Sequence, residues 1–288
     1  MTTRSVTHVL YAHEFDMGGL TVRQPFPSPE VRQIDPFILL HHANVSIPKE
    51  TDLANAGVGP HPHRGFSPVT FIFEGGVHHR DSRGHESTIY AGGTQWMNAG
   101  AGIMHSERPP LDIHSRGSRQ EIIQMWVNTP QSHKNDEPKY IPLTKEDTPK
   151  FVSEDNLAEA YLQAGSLFGL QGPIPSTSPV NAATIYLKKD AVLSIPLPKM
   201  HNAFIFLLDG RLNVAGHGEV AAENAVVFDR DGEGITLTAT EPTRILLMSG
   251  EPIGEPVAMY GPFVMNTQGE LRQAFIDFQL GKFGSLEE

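Results

Sequence analysis

Two short segments of this 288-residue chain each carry two metal-binding side chains spaced two residues apart. Residues 60–66 contain His61 and His63, and residues 102–107 contain His105 and Glu107. Successive side chains of an extended strand point to opposite faces, so residues i and i+2 project from one face about 6 to 7 Å apart. We therefore expect the two histidines of the first segment to converge, and His105 and Glu107 likewise.

Three neutral imidazoles and one carboxylate form a complete ligand set for a single divalent transition metal. Fe(II) is the leading candidate, with Ni, Cu, Co, Mn and Zn as alternatives, and the lack of thiolates argues against a closed structural zinc site. Four protein ligands on an octahedral ion leave positions open for a substrate oxygen and for dioxygen or water. A single His-x-His motif among 14 histidines would be weak evidence. A second spaced pair, with Gly and Pro turn signals around both, makes the metal site the preferred interpretation.

Composition limits the partners that this chain can have. The sequence has 22 Lys and Arg against 33 Asp and Glu, a formal net charge of -11, so direct binding to nucleic acid is disfavoured. We expect no membrane partner, because no apolar run approaches the roughly 18 residues of a membrane span. The chain has no cysteine, which excludes disulfides and thiolate chemistry and is compatible with a reducing compartment. Without a signal-peptide pattern, we expect a cytoplasmic location, or a nuclear one in a eukaryote.

The elements that must position the ligands are strands. Short β-rich runs separated by turns extend over residues 69–129 and again over residues 183–248. The second set contains Asp209-Gly210 between apolar runs, which is a strong hairpin signal. This spacing is typical of antiparallel sandwiches and barrels. We therefore predict an all-β protein with two similar antiparallel barrels.

The two halves can be aligned as a repeat, by placing residues 71–73 on 204–206 and residues 91–93 on 222–224. None of the second-half residues at the ligand positions restores the metal-binding set. They are Ser194, Pro196, Thr236 and Thr238, or Leu237 and Ala239 in place of the two threonines after a one-residue slip. We therefore expect only the N-terminal barrel to hold a metal.

The predicted organisation has four parts. Residues 1–130 form the N-terminal metal-binding domain, 131–180 a connecting segment, 181–265 the C-terminal domain without metal, and 266–288 a helix and tail. Within the connecting segment, residues 131–149 and 170–179 are predicted loops, and residues 156–162 a short helix.

The C-terminal helix has a clear start signal. Thr267 and Glu270 form a capping box, and apolar residues follow at helical spacing. They are Leu271, Ala274, Phe275 and Phe278. This apolar stripe is expected to pack on a barrel.

Several motifs together resemble the signature of the pirin family, which consists of bicupins. They are residues 60–66, 79–82, 95–97 and 100–107, with 22–24 and 34–37 near the start and 250–256 and 261–267 near the end. The resemblance covers nearly the whole chain. It implies two cupin barrels, with His61, His63, His105 and Glu107 as ligands of an iron in the N-terminal one. The chain departs from the family at residues 39–45, where many pirins have acidic residues, and also over residues 46–59.

The resemblance implies two functions of different class. Pirin relatives include quercetin 2,3-dioxygenases, in which a flavonol binds the metal through a deprotonated hydroxyl and dioxygen cleaves its central ring with loss of carbon monoxide. The first hypothesis is thus a dioxygenase for quercetin or a related enolic phenol, with a small aromatic substrate and dioxygen as partners. The second is a non-enzymatic regulator whose metal oxidation state changes its binding to a partner protein.

Other side chains have alternative readings. Glu107 is either the catalytic base or a metal ligand alone, and both remain open. His41 or His42 is the first choice for a contact that orients a ligand. Arg64 could pair with Glu107 or with solvent carboxylates, and the sequence does not decide. Five strand residues could wall a pocket but are more typical of core, namely Phe66, Phe71, Phe73, Trp96 and Met97.

Overall fold

The computed structural model describes residues 1–17, 20–50, 52 and 56–287. Its first twelve strands are β1 (Val6–Tyr11), β2 (His13–Asp16), β3 (Thr21–Gln24), β4 (Phe37–Ile47), β5 (Val58–His63), β6 (Phe66–Glu74), β7 (Gly76–Asp81), β8 (Glu86–Tyr90), β9 (Thr94–Asn98), β10 (Ile103–Arg108), β11 (Ser118–Asn128) and β12 (Lys139–Leu143). The remaining strands are β13 (Lys150–Val152), β14 (Ala158–Ala164), β15 (Ser166–Leu167), β16 (Leu170–Gln171), β17 (Val180–Leu187), β18 (Val192–Pro196), β19 (Asn202–Asp209), β20 (Arg211–Val214), β21 (Gly218–Ala221), β22 (Asn224–Phe228), β23 (Gly234–Ala239), β24 (Thr243–Gly250), β25 (Ala258–Tyr260) and β26 (Phe263–Met265). The helices in the described ranges are α1 (Leu111–Arg116), α2 (Gln268–Gln279) and a 3-10 turn, Gln131–His133.

One compact unit comprises residues 16–22, 39–145 and 253–288, and it contains the two segments with paired predicted ligands.

 Its larger sheet has the strand order β12-β9-β6-β11-β4-β3-β2, and its smaller sheet has the order β5-β10-β7-β8. Ile72 of β6, Val77 of β7 and Ile89 of β8 are buried and pack together. The order of the smaller sheet places β5 and β10, the strands with the paired predicted ligands, side by side.

The second unit comprises residues 1–15, 23–38 and 146–252. Its sheets have the orders β1-β22-β19-β24-β17-β14-β13 and β18-β23-β20-β21, so the unit repeats the plan of a larger and a smaller antiparallel sheet. The predicted all-β class with two similar antiparallel domains is thus confirmed.

Strands β18 and β23 occupy the place in the second unit that β5 and β10 occupy in the first. Ser194 lies opposite Thr236, as His61 lies opposite His105. The residues of β18 and β23 that face the apolar core are all aliphatic, namely Leu193, Ile195, Ile235 and Leu237. Within the described part of this unit, no three His, Asp or Glu side chains converge as a metal-binding group.

The short helix predicted over residues 156–162 is wrong, because this segment contributes to strand β14. Ala158, Ala160 and Leu162 enter the apolar core with a period of two, which suits a strand. β14 pairs with β13 on one side and with β17 on the other. Pairing with a distant strand outweighs the weak helical preference of a short alanine-containing segment.

The compact units are not continuous in sequence, unlike the four predicted segments. Residues 1–15 belong with residues 146–252, and β1 pairs with β22. Residues 253–288 belong with residues 39–145. Strand β12 lies in the segment predicted to connect the domains, yet it pairs with β9 in the larger sheet of the ligand-bearing unit.

The predicted C-terminal helix is confirmed as α2. Thr267 is its N-cap, and its side chain and that of Glu270 form the reciprocal bonds of a capping box. Leu271 and Ala274 are buried in a cluster with Phe263 and Phe283, and Met104 of β10 packs against that cluster. None of the helices in the described ranges is long and apolar enough to cross a membrane.

Candidate metal centre

The register between β5 and β10 brings three of the four predicted ligands together. His61 lies directly opposite His105, and His63 lies opposite Ile103. The ring centroids of His61, His63 and His105 are 4.2 to 5.0 Å apart. One ring nitrogen from each histidine lies within 4.8 Å of the others. A single ion could therefore contact all three.

Backbone carbonyls orient two of these rings. His61 Nδ1 donates to Gly59 O at 2.8 Å, and His63 Nδ1 donates to Pro262 O at 3.2 Å. A carbonyl can only accept, so in both rings Nδ1 carries the proton and Nε2 carries the lone pair. These contacts perform the orienting role that the sequence assigned to His41 or His42. His42 instead contacts Glu121 at 3.2 Å.

The imidazoles of His63 and His105 are almost completely buried, with 3% and 2% of their surface exposed. Burial holds the pKa of both rings well below the ordinary histidine value, and the neighbouring His61 lowers it further. Both rings are therefore neutral at neutral pH, which is the form that binds metals. Among the residues that the structure describes, His63 Nε2 and both ring nitrogens of His105 have no hydrogen-bond partner. These unpaired buried nitrogens fit a metal ion as their missing partner.

Glu107 lies on the same strand as His105, but its carboxylate is held by two other strands. Oε1 accepts a hydrogen bond from Thr70 Oγ1 at 2.6 Å, and Oε2 accepts one from Gln124 Nε2 at 2.8 Å. Thr70 and Gln124 are opposite each other in β6 and β11. A β-bulge separates Glu107 from His105 in the pairing with β5, and Glu107 is outside the group of three converging histidines. Each carboxylate oxygen keeps a second lone pair that can bind a metal or a proton.

A cavity of about 360 Å³ opens beside Glu107. Most of its wall is apolar, with Val22, Ile47, Val58, Val77 and Ile122 among the lining residues. Its polar lining includes Gln120, Gln124 and His41, and burial lowers the pKa of His41 to about 4, so this ring is neutral. Glu107 is the only charged side chain among the described lining residues. The cavity thus suits an uncharged ligand with a large apolar surface.

The divergent segment contributes to this cavity. Ser46, Pro48 and Ala56 belong to residues 46–59 and line the cavity wall. Residues 51 and 53–55 of the same segment lie outside the described part of the chain. His41 and Ala43, from the departure at residues 39–45, also line the wall.

Arg64 pairs neither with Glu107 nor with a solvent-exposed carboxylate, the two partners considered from the sequence. Its Nη1 donates to Asp277 Oδ2 at 2.7 Å, and its Nη2 donates to Asn135 Oδ1 at 2.9 Å.

Three contacts around the site were not found from sequence, those of Thr70, Gln124 and Pro262. The alternation of side chains along β11 could have indicated Gln124, because it is a polar residue on the cavity-facing side of a mostly apolar strand. The pocket-wall alternative does not hold for Phe71, Phe73, Trp96 and Met97, which are buried and do not line the cavity.

Gly65 allows the C-terminal segment to approach the ligand strand. Its φ is +85°, and a Cβ atom there would lie 2.0 Å from Val264 O. Val264 N donates to Arg64 O at 3.0 Å, one residue from the predicted ligand His63. Pro262, which contacts His63, immediately precedes the strand β26. Close contact at Gly65 therefore keeps the carbonyl of Pro262 next to His63.

We expect Gly65→Ala to lower both stability and metal affinity. Gly84→Ala is the matched control, because Gly84 has the same φ of +85° and no atom within 4 Å of its would-be Cβ. Both variants carry a backbone cost of about 1 to 3 kcal/mol. Gly65→Ala should cost about 1 to 3 kcal/mol more, because its Cβ overlaps Val264 O. Urea denaturation and metal titration measure the difference, and equal effects of the two variants would refute the role of this contact.

Comparison with known proteins places these features in a family. The sequence matches the family described as Pirin over residues 19–127 and the Pirin C-terminal cupin domain over residues 182–284. Pirin-like protein 2 of Arabidopsis thaliana is 37% identical over 274 residues, 92% of this chain and 81% of the relative. Pirin-1 of the same plant is 35% identical over 285 residues, 97% of this chain and 94% of the relative. A crystal structure described as quercetin 2,3-dioxygenase from Acinetobacter baumannii has a TM-score of 0.92 and 32% identity, covering 99% of this chain and all of the other.

Proposed function

The chain belongs to the pirin family, and on that premise we propose that it is a metal-dependent dioxygenase acting on a flavonol such as quercetin or on a related enolic phenol. One observation carries the proposal: three imidazoles converge, two of them with buried nitrogens that lack a partner among the described residues, and Glu107, two residues after His105, lines a mostly apolar cavity. Similarity to a protein described as a quercetin 2,3-dioxygenase supports the substrate class.

We assign His61, His63, His105 and Glu107 as the ligands of one divalent metal, with Fe(II) as the preferred ion. The histidine nitrogens suit a borderline transition metal, and Glu107 supplies a hard oxygen ligand and one negative charge. When bound, the ion would supply Lewis acidity that favours the deprotonated form of an enolic hydroxyl.

The chain itself supplies orientation and a proton acceptor. The aliphatic wall of the cavity contacts the aromatic rings of the substrate and excludes water from them. The Glu107 carboxylate accepts the proton of the reacting hydroxyl, while Thr70 and Gln124 hold that carboxylate in place. Because Glu107 is the only charged group among the described lining residues, an anionic carboxylate substrate would be repelled.

Oxygen uptake tests the proposed function. We expect iron-loaded protein to consume dioxygen with quercetin, and a chelator to abolish the uptake until iron is restored. Protein that binds iron but consumes no dioxygen with a panel of flavonols contradicts the proposal. Capture of a partner protein in only one oxidation state of the metal, by such an inactive protein, would instead support the regulator.

Glu107→Gln separates the two roles of this side chain. The glutamine carbonyl can accept from Gln124, and its amide can donate to the hydroxyl of Thr70, so the variant side chain can stay in place. Full metal content with at least about a 100-fold loss of turnover is the result expected of a base. Loss of the metal together with turnover means that Glu107 acts as a ligand alone.

A further inference from the structure

The indole N–H of Trp126 is buried and has no hydrogen-bond partner among the described residues. A buried donor without a partner costs about 1 to 3 kcal/mol, so such a group needs an explanation. Trp126 lies on β11 two residues after Gln124, and both side chains therefore point to the same face of the sheet. That face is the one on which Gln124 reaches Glu107.

The rings around Trp126 place it at the metal centre. Its ring lies 4.2 Å from that of Phe66, and it meets the His63 ring nearly edge-on at 5.4 Å between centroids. In the pairing of β11 with β6, Trp126 lies opposite Pro68, two positions from the Gln124 and Thr70 pair that holds Glu107. The indole therefore contacts a proposed metal ligand and belongs to the strand that carries Gln124, which holds the proposed base.

Chemistry limits what this N–H can do. An indole nitrogen only donates, so it cannot bind the metal or accept a proton from a substrate. The unpaired nitrogens of His63 and His105 need an electron-pair acceptor, whereas the indole needs an electron-pair donor. A metal ion satisfies the first requirement, and an anionic oxygen or nitrogen of a molecule bound at this place satisfies the second.

We propose that Trp126 Nε1–H donates a hydrogen bond to an anionic acceptor atom of the molecule that binds beside the three imidazoles. This inference rests on the proposed metal centre. It makes Trp126 a residue that positions the ligand and selects its charge state, because a fixed donor favours a phenolate or enolate oxygen over a protonated or methylated one.

Nuclear magnetic resonance of the indole N–H groups tests this directly. The chain has two tryptophans, Trp96 and Trp126, so a Trp96→Phe variant assigns the two indole signals. Protein loaded with diamagnetic Zn(II) is titrated with azide, and separately with quercetin in the absence of dioxygen. We expect the Trp126 signal to move downfield with at least one of them, while the Trp96 signal stays in place. Metal-free protein is the control, and its Trp126 signal should not respond.

A variant provides an independent measurement. Trp126→Phe keeps an aromatic ring against Phe66 and His63 but removes the N–H. We expect unchanged metal content and about a tenfold or greater weakening of quercetin or azide binding. Trp96→Phe, which removes a buried indole from β9, should leave ligand affinity unchanged.

The outcomes distinguish this inference from the proposed function. If the ligands bind to metal-loaded protein without moving the Trp126 signal, and Trp126→Phe binds them as tightly as the wild type, the inference is wrong while the metal centre stands. If the protein takes up no metal at all, both fail. If only quercetin shifts the Trp126 signal, the acceptor atom belongs to the organic ligand. If azide shifts the signal as well, small anions can also accept this hydrogen bond.

Discussion

Alanine in place of His63 or His105 should abolish tight metal binding. Removing a residue that only supports a metal ligand typically costs about 10- to 100-fold in metal affinity, so we expect removal of a ligand itself to cost at least about 100-fold. Both side chains are buried, and no other histidine, aspartate or glutamate in the described ranges joins the group of three. Elemental analysis and metal titration measure the loss.

Stability gives the same test a second readout. A ligand present at 100 times its Kd stabilises a folded protein by about 2.7 kcal/mol. Wild-type protein should therefore melt at a higher temperature when metal is added, and the His63→Ala and His105→Ala variants should not. Without metal the variants should lose little stability, because each removes a buried imidazole with an unpaired nitrogen.

His217→Ala is the matched control for both readouts, since His217 is exposed in the second unit. It should bind metal and gain stability as the wild type does. If His105→Ala bound metal with the affinity of the wild type, the ion would be held at a site other than the three histidines.

Local patterns predicted those parts of this protein that depend on neighbouring residues. The spacing of His61 and His63 puts both on one strand face whatever the rest of the chain does. The capping box of α2 likewise needs only Thr267 and Glu270. The repeat alignment agrees with the strand pairing, in which Ser194 lies opposite Thr236 as His61 lies opposite His105.

Contacts between distant residues escaped prediction. The carbonyl that orients His63 belongs to Pro262, 199 residues later in the chain, and any residue type could supply it. The partner of Arg64 is Asp277, 213 residues away in the chain. The sequence suggested Glu107 instead, because Arg64 and Glu107 lie in the two segments that carry the predicted ligands. Strand β14 was mistaken for a helix because its partners β13 and β17 could not be known from the segment itself. Register and pairing are set by packing of the whole unit, which short windows do not contain.

The ion pair between Arg64 and Asp277 should be worth far more than a surface pair. Both side chains are only 11% exposed, and the guanidinium also donates to Asn135. Asp277 further accepts from Lys282 Nζ at 2.7 Å and from Gln273 Nε2 at 3.0 Å. Replacing one partner of a buried pair typically costs about 3 to 5 kcal/mol when the other charge is left uncompensated. We expect Arg64→Met to lower the free energy of unfolding by about 3 kcal/mol, the lower end of that range, because Lys282 still pairs with Asp277 and the pair is not fully buried.

Arg116→Met is the matched control, because Arg116 and Asp112 form a pair of similar length, 2.9 Å, with side chains 66% and 51% exposed. It should cost less than about 1 kcal/mol. Urea denaturation followed by tryptophan fluorescence measures both variants, since Trp96 and Trp126 lie in the same unit as both pairs. Equal costs for the two variants would contradict a special role for the buried pair.

The stability difference between the wild type and Asp277→Asn should change with pH in a defined direction. Hydrogen bonds from Lys282, and then from Arg64 and Gln273, hold the pKa of Asp277 well below its usual range in the folded protein. An aspartate has a pKa of about 3.9 in the unfolded chain. Because the folded pKa is the lower one, the ionised carboxylate stabilises the fold fully above about pH 5, and this contribution decreases progressively as the pH falls toward the folded pKa. The stability difference between wild type and Asp277→Asn should therefore be constant from pH 8 to about pH 5 and shrink in more acidic solution. A difference that instead grows on acidification would mean that the carboxylate is not stabilised by these donors.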